Sequence, residues 1–205
     1  MKLFYSPASC AMSPHIVLAE AGVPYTLERV DLATKTTETG RPLAEINPQD
    51  AVPVLLLDGG ETLTEGAAIV QYVADLRPEA GLLPPAGTLA RAQVQQWLNY
   101  IATEMHKAHV PLFKADYPQA AKDIARASIQ RAYAFVAAAL ADRPFITGDG
   151  FTVADAYLFT ILNWHKFVGL DLAPWPALVA YQDRIAARAG VQQALREEGL
   201  LASAA

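Results

Sequence analysis

Cysteine is nearly absent. Among 205 residues there is one, Cys10, so no disulfide framework can form within the chain, and a free thiol is best kept in a reducing compartment. Clustered positive charge is also missing. The formal net charge is -5, with 16 Lys and Arg scattered against 21 Asp and Glu, which leaves no basic footprint for a nucleic-acid backbone. Long apolar runs are lacking too: the stretch from Ala132 to Ala141 is about half of the ~20 residues a bilayer span requires. The start, Met1 to Pro7, carries one positive charge and breaks at Pro7 before an apolar segment of signal-peptide length can form. These absences argue against export, membrane insertion and nucleic-acid binding, and the expectation is a cytoplasmic protein.

What is present is apolar. Hydrophobic residues make up 53% and charged ones 18%, enough to bury a core without help, and the length suits one large or two compact domains. Lys2 to Tyr5 reads as a short buried strand, Ser6-Pro7-Ala8-Ser9 as a break, and Ile16 to Ala21 as a helix closing at Gly22. From Tyr25 to Leu32 two alternating pairs, Tyr25 with Leu27 and Val30 with Leu32, are separated by a slip that predicts a strand with a bulge. Ala33 to Asp50 is polar and loop-like. Val52 to Leu57, the turn Asp58-Gly59-Gly60 and Thr62-Leu63-Thr64 predict a hairpin. Ala67, Ala68, Ile69, Tyr72, Val73 and Leu76 recur at helical spacing and stop before Pro78.

After Leu82-Leu83-Pro84-Pro85-Ala86-Gly87 no strand-like alternation appears. Val94, Trp97, Leu98, Ile101 and Met105 mark one long helix, and Ile129, Tyr133, Val136 and Leu140 mark another. The expected organisation is therefore an α/β domain at 1–81, a linker at 82–87 and an all-helical domain at 88–205.

Cys10 falls between the first strand and the first helix, where its sulfur is expected to face N–H groups with no intrahelical partner. Those groups and the helix dipole favour thiolate. The alternative is a small buried apolar residue. Ser9 and Ser13 flank it in a polar break, which favours the functional reading. Cys10-Ala11-Met12-Ser13 has one thiol where a dithiol motif has two, so thiol exchange here needs an outside thiol, and glutathione is the abundant one. Thr64-Glu65-Gly66 is a second passage from strand to helix N-terminus. Its free N–H groups can hold a carboxylate, Glu65 can accept from an ammonium and Gly66 permits close approach, although Glu65 could equally serve the helix dipole alone. Asn99, Thr103 and His106 stand at i, i+4 and i+7 on one stripe bordered by Lys107, which suits either a converging site or a solvated face. His106 and His109 lack partners at metal-ligand spacing, so no metal is expected.

Taken in order, Ser9-Cys10, Ser13-Pro14-His15, Ile46-Asn47-Pro48, Val52-Pro53-Val54-Leu55, Thr64-Glu65-Gly66-Ala67-Ala68-Ile69, Asn99 with Glu104-Met105-His106-Lys107, and Phe151-Thr152-Val153-Ala154-Asp155 resemble the cytosolic glutathione transferases, and among them the bacterial beta class. The resemblance spans essentially the whole chain. It implies a thioredoxin-like N-terminal domain, an all-α C-terminal helical bundle and a homodimer. By the same resemblance Cys10 would face the glutathione sulfur and Pro53 would be cis, so that Val52 pairs its backbone with the tripeptide. Glu65 and Gly66 would hold the γ-glutamyl end. Lys35, Asn99, Thr103, Glu104, Met105, His106 and Lys107 would complete the pocket, with His106 joining Cys10 as a catalytic residue. Thr152 to Asp155 matches the family's helix-capping box, a folding signal rather than a site.

Many relatives carry Ser where this chain has Gly66, and most other classes use Ser or Tyr where it has Cys10. The implied function is conjugation of reduced glutathione to small hydrophobic electrophiles held against Phe113, Tyr157 and Trp164. Two alternatives stand beside it: a glutathione-dependent thiol-disulfide reductase working through a Cys10–glutathione mixed disulfide, and a non-catalytic module that binds glutathione or other ligands.

Overall fold

The computed structural model describes residues 1–201. The chain forms two compact units, one of Met1–Leu83 together with the stretch from Ala187, the other of Pro84–Ala186.

In the first unit, β1 (Lys2–Tyr5), β2 (Thr26–Asp31), β3 (Thr36–Thr37), β4 (Val54–Leu56) and β5 (Thr62–Thr64) form one sheet in the order β3-β2-β1-β4-β5. β1 and β2 run parallel, and β4 runs antiparallel to both β1 and β5. The parallel pair needs a crossover, supplied by α1 (Met12–Ala21), which ends at Gly22 in the left-handed conformation that a glycine takes without strain. One sheet face packs Phe4, Val30, Leu43, Ile46 and Val54 together. On the other pleat lie Leu3 and Leu55, both fully buried.

β2 differs from the expected bulged strand. Its pairing with β1 is unbroken from Thr26 to Arg29, and the position that interrupts the apolar alternation is a buried carboxylate, Glu28. Glu28 faces the same side as Val30 and is satisfied there by Lys2 Nζ at 2.6 Å and by the Thr39 hydroxyl at 2.5 Å. The polar stretch Ala33 to Asp50 also holds more than loop: β3 and a 3₁₀ turn at Leu43–Glu45.

α2 (Gly66–Asp75) packs on α1, and so does α9 (Ala189–Glu197). The expected single helical domain at 88–205 is therefore corrected at its end. α9 belongs with the first unit, because Val191 and Ala194 are buried and a Cβ on Gly190 would lie 2.6 Å from Glu20 Cγ and 2.9 Å from the Glu20 backbone nitrogen. Arg188 adds a two-pronged ion pair to Glu20 at 3.0 and 2.6 Å.

The second unit is helical. α3 (Leu89–Tyr100) continues into a π-helical segment, Ile101–His106, and then into α4 (Lys107–Phe113), so the expected long helix is present but wider at its centre. α5 (Gln119–Ala139), α6 (Val153–Leu162), α7 (His165–Val168) and α8 (Pro176–Ala186) come after it. The capping box of α6 is formed as its sequence requires. Asp155, fully buried, accepts from Thr152 N at 2.9 Å, Thr152 Oγ1 at 3.0 Å, Ile146 N at 2.8 Å and the Tyr181 hydroxyl at 3.0 Å.

Candidate functional site

In the first unit Cys10 is half-buried, just outside α1. Ser9 Oγ accepts from Ala11 N at 3.2 Å, so the turn is closed by a side chain. The thiol donates to the Val52 carbonyl at 3.4 Å. A carbonyl receives a thiol's proton and offers nothing to a thiolate. Ser13 is not part of a polar break. It lies inside α1, fully buried, with no hydrogen-bond partner for its hydroxyl among the described residues.

The Val52–Pro53 peptide is cis. Beyond the hairpin, Glu65 sits immediately before α2 with φ 65° and ψ 108°, and its side chain makes no capping bond. The exposed carboxylate is thus left facing outward, while Gly66 and Ala67 precede the first helical hydrogen bonds, which Ala68 and Ile69 make to the Glu65 carbonyl at 2.9 and 3.0 Å. A Cβ on Gly66 would meet Pro53 Cγ at an ordinary 3.8 Å, so the glycine is not demanded by packing there. Lys35 donates to the Asp50 carbonyl at 2.9 Å and lies 4.0 Å from the Asp50 carboxylate.

Backbone strain singles out the same places. Among the described residues the non-glycine positions with positive φ are Ala8, Lys35, Asp50 and Glu65. Each is a candidate residue or lies two positions from Cys10 or Val52, and each conformation costs on the order of 1–3 kcal/mol that the surrounding fold must offset.

In the second unit the expected stripe of Asn99, Thr103 and His106 divides. Asn99, Thr103, Glu104 and Lys107 are exposed, and the Thr103 hydroxyl turns back to the Asn99 carbonyl at 3.1 Å. His106 leaves them. His106 closes the π-helical segment, whose wider turn changes the angular spacing along Ile101–His106 from that of an α-helix. His106 therefore points inward, where its Nδ1 shares a hydrogen bond of 2.7 Å with the Tyr157 hydroxyl and its ring meets Trp164 edge-on at 4.9 Å. Phe113 also meets Trp164 edge-on, at 5.2 Å. The structure thus brings together His106, Tyr157, Trp164 and Phe113. It does not bring Met105 with them: Met105 is fully buried in the core, so its side chain is no pocket lining.

One member of this cluster enters the sequence reading only as a histidine without metal-ligand partners. His109 is fully buried, contacts the rings of Phe113 and Trp164, and shares a 2.8 Å bond through Nδ1 with the Met105 carbonyl. A carbonyl only accepts, so Nδ1 carries the proton. Its place three residues after His106 and four before Phe113 was the available signal.

Burial lowers the His106 pKa to about 4, with Lys107 and His109 acting in the same direction. The imidazole is neutral at pH 7, able to accept or donate but not to act as a cation. Its ring proton resonances are expected to titrate near pH 4 rather than near the ordinary 6.5. Because the folded-state pKa is depressed, the unfolded chain binds this proton first, and the stability present above pH 6.5 is lost as pH falls toward 4. An imidazole midpoint between pH 6 and 7, measured by NMR against His106→Gln, would contradict the neutral assignment.

A family model described as "Glutathione S-transferase, N-terminal domain" matches residues 8–76, and one described as "Glutathione S-transferase, C-terminal domain" matches residues 100–189. The chain is 46% identical over 200 residues to "Glutathione S-transferase GstA" of Escherichia coli O157:H7, covering 98% of this chain and 100% of that one. It is similar to a solved sphingomonad glutathione S-transferase in complex with glutathione (44% identity, 98% of this chain and 100% of that one, TM-score 0.94). A bacterial beta class glutathione S-transferase from Sphingomonas chungbukensis is equally close in sequence (44%, the same coverages, TM-score 0.95). Matched along both units by sequence and by fold, the chain belongs to the glutathione S-transferase family, in its bacterial beta class.

Proposed function

We propose that this protein conjugates reduced glutathione to small hydrophobic electrophiles, with Cys10 as the thiol that faces the glutathione sulfur. The observation that carries the reading is the bond from the Cys10 thiol to the Val52 carbonyl. A peptide laid along Val52 takes that carbonyl for its own amide N–H and releases the Cys10 thiol where the peptide's sulfur arrives. The features around it suit the two ends of glutathione. Lys35 offers a cation to a carboxylate, Glu65 offers an uncapped carboxylate to the ammonium, and the amides opening α2 suit the γ-glutamyl carboxylate. In the second unit, the rings of Phe113, Tyr157 and Trp164 suit an apolar aromatic electrophile, with His106 as a neutral hydrogen-bonding group. The glutathione thiolate forms a carbon–sulfur bond as the leaving group departs with its electron pair, and the thiol proton passes to water.

The same thiol supports an exchange reaction. Cys10 thiolate attacks oxidised glutathione, forming a Cys10–glutathione disulfide and releasing reduced glutathione. With no second cysteine in the chain the adduct persists until free glutathione attacks it. We place the protein in the cytoplasm as a homodimer with a role in detoxification. The scattered charge, the family resemblance and the lack, among the described residues, of any helix long and apolar enough to cross a membrane support this.

Parallel assays test both reactions. Conjugation to a generic aromatic halide is expected, and intact mass after exposure to oxidised glutathione should show one added glutathione, lost on reduction and absent in Cys10→Ser. A folded, glutathione-binding protein that yields no conjugate would be a binding module. Absence of the adduct near neutral pH would sink the exchange reaction.

A further inference from the structure

The carboxylate of Glu198, immediately after α9, is fully buried, and a buried carboxylate is costly unless donors surround it. Its Oε2 accepts from the Ala8 amide at 2.8 Å, and its Oε1 shares a 3.0 Å bond with His15 Nδ1. The other face of the His15 ring is held as well: Nε2 lies 2.7 Å from Glu197 Oε2, which accepts from the Tyr25 hydroxyl at 2.7 Å. His15 is fully buried in α1. One carboxylate therefore ties a helix to the loop that precedes it.

The point of attachment in the loop is Ala8, whose φ of 60° is left-handed without a glycine's freedom. Cys10 comes two residues later, across a turn closed by Ser9 N to Ser6 O at 3.1 Å and Met12 N to Ser9 O at 3.2 Å. Fastening α9 to α1 does not require this arrangement. Buried Val191 and Ala194, the close contact at Gly190 and the Arg188–Glu20 pair already do so. What the Ala8 bond adds is the orientation of the loop.

We propose that Glu198 is a positioning residue for Cys10: by holding the Ala8 amide it fixes the left-handed turn that aims the thiol at the Val52 carbonyl. The inference rests on the reading of Cys10 as the working thiol, and its test needs neither glutathione nor an electrophile. The rate of Cys10 alkylation by iodoacetamide is followed against pH in the wild type, Glu198→Ala and Glu198→Gln.

A glutamine oxygen still accepts the Ala8 amide, so Glu198→Gln is expected to follow the wild-type profile. Glu198→Ala is expected to move the midpoint by about one pH unit, which is about tenfold in rate below both midpoints. An unchanged profile in Glu198→Ala, with only a lower melting temperature, overturns the proposal and leaves Glu198 as a fastener of α9. If Glu198→Ala fails to fold, Glu198→Asp, one methylene short of Ala8, gives the same reading: a displaced midpoint supports the proposal and an unchanged one overturns it. A wild-type thiol inert at every pH overturns the reading of Cys10 and this inference with it, whereas a reactive thiol indifferent to residue 198 overturns this inference alone.

Discussion

Replacing Asp155 with Ala is expected to lower the stability of the second unit by about 3–5 kcal/mol, a large share of the ~5–15 kcal/mol that typically holds a folded protein together. The size reflects the donors that the carboxylate leaves behind. Ile146 N, Thr152 N, Thr152 Oγ1 and the Tyr181 hydroxyl all aim at it, and Tyr181 is itself fully buried. The two hydroxyls can turn to other acceptors, but the two amides cannot, and a buried donor without a partner costs about 1–3 kcal/mol. The N-terminus of α6 also loses its cap. Asn in this place is expected to recover little, because one of its amide hydrogens must then face an amide N–H. Urea unfolding followed by tryptophan fluorescence is the direct measurement, since Trp97, Trp164 and Trp175 all lie within Pro84–Ala186. A loss below about 1 kcal/mol would mean that water replaces the carboxylate and that the capping box contributes little.

Glu65→Gln is expected to weaken glutathione binding about 10- to 100-fold, the equivalent of the ~1.5–3 kcal/mol of a hydrogen bond to a charged partner. Two features make the effect large for an exposed residue. The side chain makes no capping bond to α2, so no such bond is lost from the free protein when its charge is removed, and the backbone is held at φ 65°. The fold maintains that unfavourable conformation, so the side chain is already oriented when a ligand arrives. Calorimetric titration with glutathione measures the change. An unaltered dissociation constant in the folded variant would reduce Glu65 to a residue that serves the helix dipole.

The parts of the fold visible in the sequence were those written as apolar periodicity. The hairpin of β4 and β5, α2 and α5 keep closely to their Val, Leu, Ile and Ala patterns. β2 was harder to read because its inward position is Glu28, which is made tolerable by Lys2 and Thr39, one remote in sequence and the other beyond the strand. The π-helical segment was hidden for another reason: Ile101 and Met105 keep a helical spacing, while the hydrogen-bond register that turns His106 inward leaves no mark on composition. Cys10, Glu65 and Gly66 were legible as interruptions between elements. The strained backbone at Ala8, Lys35 and Asp50 was not, because no glycine announces it. Nor can the amphipathic pattern of α9 say which unit it packs against.

That packing bears on how the protein is made. The unit that begins the chain, Met1–Leu83, is completed only by residues synthesised after the whole of Pro84–Ala186. At ribosomal rates of about 5–20 residues per second, α1 waits roughly 10 seconds or more for its covering helix. During that interval His15 lacks both of its glutamates and Ala8 its acceptor. A nascent chain paused before Arg188 would therefore lack both the carboxylate that holds the Ala8 amide and the helix that covers α1.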